Sequence, residues 1–444
     1  MNSELKAIKV GLLGLGNIGT GTVDILRRNA DLIESRLGVP IELVRVADLN
    51  AERAKTLNIS KNIFTTNAEE VVNDPNVQVV IELIGGIEPA RSLMLKAMDN
   101  NKHIVTANKA LLAIHWDELV TKAEKKRISF SFEASVGGGI PLIVAIRRGL
   151  VANHIKRITG IINGTCNYIL SRMASEQKPF AEVLAQAQAN GFAEANPALD
   201  VDGIDAAQKL AILIDLCFDT TIHPEDINRC GITQIIPLDL TTAAELGYRM
   251  KLICSATNEN NGVEAWVHPT LVPIKHPLAS VEGVFNAVYI EDDNLGPSLY
   301  FGRGAGALPT GSAIVADLIS ASRDILSGAI SRMPISGVRI RGQAGNHISL
   351  ARDAHSEFYI RVTALDQPGV LANITGVLGR HNVSIASFIQ RGRADTLQEA
   401  VPVIIVTHEA SYTNIKDALK EIDTLPVVKN GSFLARIISA TAEL

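Results

Sequence analysis

The chain has 444 residues, 47% of them hydrophobic and 20% charged, a well-filled composition that provides core for two or three domains. Lys and Arg number 42 against 47 Asp and Glu, and the formal charge of −5 excludes general attraction to nucleic acid or an anionic membrane, leaving small molecules and further copies of the chain as partners. The four cysteines, Cys166, Cys217, Cys230 and Cys254, form no CxxC pair, which argues against a disulfide framework or a zinc site and fits a reducing cytoplasm.

Residues 8–21, IKVGLLGLGNIGTG, join a short apolar strand to glycines at Gly14, Gly16 and Gly19. The strand is too short and too glycine-interrupted for a signal peptide, and no run reaches membrane-spanning length. With helical TVDILRRNADLIESRL behind it, the motif reads as a dinucleotide-binding turn. The first glycine permits the turn, the second admits a pyrophosphate and the third lets helix pack on strand, while Asn17 and Ile18 offer helix N-terminal N–H groups. A purely structural turn is the plain alternative. IELVRVAD reads as a second strand ending at Asp48, placed to meet an adenosine ribose, and Arg53 follows, a guanidinium suited to a 2′-phosphate. NAD and NADP both stay open, with NADP favoured.

NVQVVIELIGG, residues 76–86, is a nearly continuous apolar strand of the buried parallel kind, followed by helical PARSLMLKAMDNN. HIVTANKALL then brings Thr106, Asn108 and Lys109 to the carboxyl end of a strand, where open parallel sheets bind ligands. RISFSFEAS reads as one more strand running into VGGGIP, where the nucleotide half closes.

The organisation expected is α/β: a Rossmann-type parallel sheet over 1–140, an α+β substrate and dimerisation domain over 141–305, and a return to the nucleotide domain over about 306–340 through the helix in FGRGAGALPTGSAIVADLISASRD. PLIVAIRRGL and DAAQKLAILIDLCF read as helices of the middle domain, HIKRITGIIN and GVEAWVHPTLV as its strands. Residues 340–356 read as a linker. From 357 to 438 the order is βαββαβ, a ferredoxin-like unit long enough to fold as a small independent domain.

GFAEANPALDVDGIDAAQKL, residues 191–210, gathers Glu194, Asp200, Asp202 and Asp205 around Lys209. Asp205 and Lys209 are spaced i, i+4 on one helix face, which is either a surface ion pair or an acid–base pair. The apolar LAILIDLCF that follows buries this helix and favours the second. Cys166, after the glycine of NGTCNYIL, raises a thiol nucleophile as in acylating aldehyde dehydrogenases; no histidine base lies in that segment, so a small buried cysteine is the stronger reading.

GLGNIGTG, TANKALL, EASVGGGIP, NGTCNYIL, GFAEANPALDVDGIDAAQKL and GRGAGALPTGSAIVAD, in this order, resemble homoserine dehydrogenases, and the terminal unit with DQPGVL resembles an ACT domain. No aspartate kinase segment is attached, as in the monofunctional form. The resemblance implies NAD(P)-dependent, reversible hydride transfer between L-homoserine and L-aspartate 4-semialdehyde on the route to threonine, methionine and isoleucine. It makes Lys209 the proton donor, with Asp205 positioning it and binding substrate, and it implies that homoserine oxidation favours alkaline pH. Glu194 and Lys109 become substrate contacts. Gly14, Gly16, Asn17, Ile18, Gly19, Arg53, Thr106, Lys109, Gly191 and Gly306 become cofactor contacts. It also implies a monovalent cation, Na⁺ or K⁺, on Glu133 and the carbonyls of Val136, Gly138 and Ile140, a bend that otherwise reads as a hinge. A homodimer or homotetramer is expected. Asp366, Gln367 and Gly369 would hold an amino-acid effector, L-threonine by the same resemblance, and a chain ended near Ala354 is expected to keep catalysis. The competing reading is an amino-acid sensor on a nucleotide-binding fold without turnover.

Overall fold

The computed structural model describes residues 7–259, 262–328, 334–335, 354–390 and 400–438. Its N-terminal half is a six-stranded parallel sheet made of β1 (Ile8–Leu13), β2 (Ile41–Ala47), β3 (Phe64–Thr65), β4 (Val79–Glu82), β5 (His103–Thr106) and β6 (Phe130–Ser131), in the order β3-β2-β1-β4-β5-β6. The reversal beside β1 is the switch point at which such sheets bind ligands beyond the carboxyl ends of their strands. All four residues of β4 and of β5 are buried, which is why their sequences run apolar without alternation. Each buried Val, Leu or Ile here contributes about 1.5–3 kcal/mol through removal from water.

Three expected elements differ in extent. The helix after the glycine turn breaks at Asn29, which ends Asn17–Arg28 and starts Ala30–Leu37. RISFSFEAS forms only β6 before a 3₁₀ turn at Glu133–Ser135, because the Glu133 N–H leaves the ladder and donates to Asp317 Oδ2 at 2.8 Å. PLIVAIRRGL opens as Leu142–Val144 and widens into a π turn, Ala145–Gly149, closed by the Leu150 N–H on the Ala145 carbonyl at 2.9 Å.

The second sheet comprises β7 (Ile155–Ile161), β8 (Asn228–Arg229), β9 (Tyr248–Glu259), β10 (Gly262–Pro273), β11 (Phe285–Asp292), β12 (Pro297–Arg303), β13 (His355–Leu365), β14 (Ile385–Gln390), β15 (Ala400–Thr407), β16 (Ala410–Ser411) and β17 (Val428–Ile437). Its main path is β12-β11-β7-β9-β10-β17-β13-β15-β14. One edge of β10 pairs antiparallel with β9 along its length. The other takes β8 at Trp266–Val267 and β17 at Thr270–Leu271, both parallel.

The βαββαβ unit is therefore joined to the middle of the molecule by a shared sheet rather than hung from it. Asp239, fully buried in the first turn of the Pro237–Glu245 helix, accepts hydrogen bonds from Tyr359 Oη at 2.9 Å and Arg361 Nε at 2.8 Å, both on β13. Arg436 of β17 lies over the rings of Trp266 at 4.7 Å and Tyr412 at 4.9 Å and donates from Nε to His268 Nδ1 at 3.3 Å.

Helix Ala307–Ser327 returns to the nucleotide half as expected. Ile314 and Leu318 share a buried cluster with Val10, Leu12, Ile81 and Val105. Its expected extension toward 340 and most of the linker over 340–356 lie outside the described residues.

Candidate active site

The glycine turn follows β1, and its three glycines serve different ends. Gly14 adopts φ +98°, and a Cβ on Gly19 would stand 2.1 Å from the Gly14 carbonyl oxygen, so both positions exclude a side chain. A Cβ on Gly16 would meet nothing within 4 Å. Gly16 therefore fronts open space at the N-terminus of helix Asn17–Arg28, whose first N–H groups lack intrahelical acceptors; this is the shape a pyrophosphate requires. Asp48 spends both oxygens on backbone: Oδ2 accepts from the Leu15 N–H at 2.6 Å and Oδ1 from Asn50 at 2.7 Å. Arg53 stays on the surface, 3.6 Å from Asp48 Oδ2.

Thr106, at the end of β5, donates to Glu82 Oε2 at 2.7 Å, and Glu82 Oε1 accepts from the N–H groups of Ile84 and Gly85. Glu82 is wholly buried, and burial pushes its carboxyl up. Two residues on, Asn108 caps helix Lys109–Lys126: Oδ1 accepts from the Leu111 N–H at 3.1 Å and Nδ2 donates to the Gly86 carbonyl at 2.7 Å. Lys109 is the first residue of that helix, where the dipole disfavours a cation. Its compensation is Asp205.

Asp205 occupies the first turn of helix Ile204–Phe218, where negative charge is favoured, and is 5% exposed. Its Oδ1 lies 2.8 Å from Lys109 Nζ and its Oδ2 lies 2.7 Å from Lys209 Nζ. Burial alone would raise this carboxyl. The Lys209 and Lys109 ammoniums outweigh burial and hold it well below the usual carboxylate range. Burial likewise works against the Lys109 ammonium, and Asp205, with Asp200 and Glu194 farther off, more than offsets it. Lys209 Nζ also donates to the Ile162 carbonyl at 2.8 Å, so two fixed acceptors aim it.

The expected set is thus brought together around Asp205, with Lys109 contributed by the nucleotide half and Lys209 by the middle of the chain. Glu194 is exposed on the loop leading in, where its charge reaches Lys109. Gly191, at φ +73°, follows helix Phe180–Ala189 on the same loop, and Gly306 caps helix Ala307–Ser327 beside the glycine-turn helix. Cys166 is fully buried with Sγ 3.2 Å from the Asp200 carbonyl; burial, then the charges of Asp200 and Asp205, raise its thiol well above the ordinary range. A thiolate nucleophile is disfavoured there, and the acylating alternative loses its key group.

At the glycine-rich bend, Glu133 Oε1 accepts from the Ile143 N–H at 2.8 Å and Oε2 from Val144 at 2.7 Å, while the Ile140 carbonyl accepts from Leu142. Glu133 is 6% exposed and burial pushes its carboxyl up; Asp317, half-buried beside it, is pushed up to about 8 by desolvation and by the Glu133 charge. Among the described residues no three His, Cys, Asp or Glu side chains group as metal ligands.

Sequence reasoning gave no role to Asn163, Glu82 or Asp239. Asn163 and Asn108 carry one local signal, an asparagine between a strand and a helix, which is an N-cap pattern.

Three family models match the chain: homoserine dehydrogenase over residues 141–319, the homoserine dehydrogenase NAD-binding domain over 14–133, and the ACT domain over 358–424. The homoserine dehydrogenase of Neisseria gonorrhoeae is 42% identical over 98% of this chain and 99% of its own length. That of Pseudomonas aeruginosa is 41% identical over 96% and 98%. The crystal structure of a homoserine dehydrogenase from Thiobacillus denitrificans superposes with a TM-score of 0.90 at 42% identity, covering 98% of this chain and 99% of that one. A hyperthermophilic archaeal homoserine dehydrogenase in complex with NADPH superposes with a TM-score of 0.62 at 25% identity, over 71% and 98%.

Proposed function

The chain belongs to the homoserine dehydrogenase family and carries an ACT domain, and from that premise we propose how its residues divide the reaction between L-homoserine and L-aspartate 4-semialdehyde. The observation that carries the reading is Asp205 clamped between Lys109 and Lys209. A nicotinamide cofactor, once held at the glycine turn, would provide the hydride chemistry in both directions. Lys209 Nζ donates the proton that the resulting substrate alkoxide requires, and takes it back when homoserine is oxidised. Asp205 fixes where that ammonium points. Lys109 polarises the carbonyl or pairs with the substrate carboxylate, and Glu194 takes the substrate ammonium.

For the cofactor, the space before Gly16 and the N-terminus behind it fit a pyrophosphate held by Gly14, Asn17, Ile18 and Gly19, and Thr106, Gly191 and Gly306 are assigned as further cofactor contacts by the family resemblance. With Asp48 engaged by backbone, Arg53, exposed and only loosely paired with Asp48 at 3.6 Å, is the group placed to meet a 2′-phosphate, which favours NADP over NAD. The archaeal relative in complex with NADPH agrees with that preference. A monovalent cation fits the bend on charge: buried Glu133 and half-buried Asp317 are carboxyls side by side, and Na⁺ or K⁺ on Glu133 with the carbonyls of Val136, Gly138 and Ile140 would relieve them.

The nucleotide domain spans 1–140 and returns at about 306–340, the substrate domain spans 141–305 and the ACT domain 357–438. The effector is an amino acid, L-threonine as an end product of the pathway that consumes homoserine, held at Asp366, Gln367 and Gly369. Gln390 Nε2 donates to Asp366 Oδ1 at 3.0 Å and braces that loop. Leu299 and Phe301, exposed on the free edge strand β12, support a homodimer or homotetramer. Four free thiols suit the cytoplasm, and no helix among the described residues is long and apolar enough to cross a membrane. The test is initial rates with L-homoserine and NADP or NAD, followed at the nicotinamide absorbance, with and without L-threonine. Cofactor binding without any change in absorbance would refute the catalytic reading.

A further inference from the structure

We infer that Asn163 is a positioning residue for proton transfer, holding Asp205 in the orientation from which it aims Lys209; this rests on the acid–base reading above. Asn163 stands between β7 and helix Gly164–Glu176 and is 4% exposed. Its Oδ1 accepts from the Cys166 N–H at 2.8 Å and caps that helix. The cap fixes which way the carboxamide faces, because only an oxygen can accept from a backbone N–H. The amide nitrogen is thereby turned toward the acidic loop. Nδ2 donates to Asp205 Oδ2 at 2.8 Å and to Asp200 Oδ1 at 2.7 Å, which uses both of its hydrogens.

Asp205 thus has three donors: Lys109 on Oδ1, and Lys209 with Asn163 on Oδ2. The two lysines must be free to respond to substrate, and the Lys109 side chain is 40% exposed. Asn163 is uncharged, buried and rooted in a helix terminus, so it is the donor that stays put while the lysines exchange partners. The preceding residue completes the clamp, since the Ile162 carbonyl accepts from Lys209 Nζ. Two consecutive backbone positions therefore set both members of the acid–base pair. Bridging Asp200 and Asp205 through one neutral amide also joins two carboxylates without adding a third negative charge between them.

The experiment separates the cap from the donor. Asn163→Ser and Asn163→Asp both retain a capping oxygen for helix Gly164–Glu176, so NADPH affinity is expected to stay near wild type. Both lose the amide donors, and kcat for homoserine oxidation is expected to fall about 10- to 100-fold, the worth of a hydrogen bond to a charged group. Asn163→Asp should in addition move the acidic limb of the kcat/KM profile to higher pH, because one of three adjacent carboxyls takes up a proton. A merely structural Asn163 would leave kcat within twofold in Asn163→Ser and the pH profile unmoved in Asn163→Asp, and that result overturns the inference. Lys209→Met is measured alongside. If it is inactive while Asn163→Ser is normal, the positioning role alone fails; if Lys209→Met is fully active, the acid–base reading fails and this inference falls with it.

Discussion

Lys109 Nζ and Asp205 Oδ1 meet at 2.8 Å across the junction of the two sheets, each residue within the first turn of its helix. Both helix N-termini contribute positive potential, which suits Asp205 and not Lys109. The pair therefore has a direction: Lys109 gains more from Asp205 than from its own helix, and a substrate carboxylate offering the same charge can compete for it.

Removing the proton donor should separate chemistry from binding. Lys209→Met is expected to lower kcat by about 10²-fold or more, and Asp205→Asn comparably, with NADPH dissociation constants near wild type by fluorescence titration. Retention of wild-type turnover by Lys209→Met would assign the proton to another group.

Arg53→Ala should raise the KM for NADPH well above its effect on NADH, since only NADPH carries the extra phosphate. Equal losses for the two cofactors would leave Arg53 a surface charge paired with Asp48.

Asp317 gives a pH signature with a definite sign. Its carboxyl is raised to about 8 in the fold against an ordinary value near 3.8, so between those values the folded chain holds a proton that the unfolded chain has lost. Stability contributed by this group therefore falls as pH rises through that window, at about 1.4 kcal/mol per pH unit, and levels off above it. Asp317→Asn mimics the protonated acid and still accepts from the Glu133 N–H. Its melting temperature relative to wild type should climb from pH 5 to pH 8; a difference flat in pH would show Asp317 ionised throughout.

Glu133→Gln tests the cation. Wild-type activity is expected to rise when K⁺ or Na⁺ replaces a bulky organic cation, and the variant should lose that response. Equal wild-type rates in both salts would remove the site and leave Glu133 as the cap for Ile143 and Val144.

Arg361→Met leaves Asp239 buried with Tyr359 as its remaining β13 donor. Breaking a buried pair on one side is expected to cost about 3–5 kcal/mol, and the same change should weaken threonine inhibition if the signal crosses this seam. By the same reasoning a chain ended near Ala354 loses β17 from beside β10, the two β13 donors to Asp239 and the Arg436 donor to His268. It is expected to melt early, contrary to the separable module read from the sequence. Normal melting of both variants would show the seam to be incidental.

The parts legible in the sequence are those whose signal is local. The glycine turn is written in residues that only a tight backbone needs, and Asp205 with Lys209 is written as an i, i+4 pair. Glu82 was hidden because a single acid inside NVQVVIELIGG does not disturb an apolar run, and its partner Thr106 comes from the next strand. Asn163 reaches Asp205 across 42 positions and Arg361 reaches Asp239 across 122. No local periodicity encodes such pairs; they exist only once the sheets have assembled. Glu133 was legible as an acid before a glycine-rich bend, but its two backbone donors belong to a helix turn that the sequence presents only as PLIV.

The parallel seat of β17 on β10 also bears on how the protein is made. A ribosome releases β10 long before β17, and through that interval the nascent chain, paired with β9 on one side, leaves the other edge open at Thr270 and Leu271. Open edges recruit strands from neighbouring chains. Chaperone demand should therefore peak while the second sheet is half synthesised, and a message truncated before β17 would yield a protein prone to stick to its siblings.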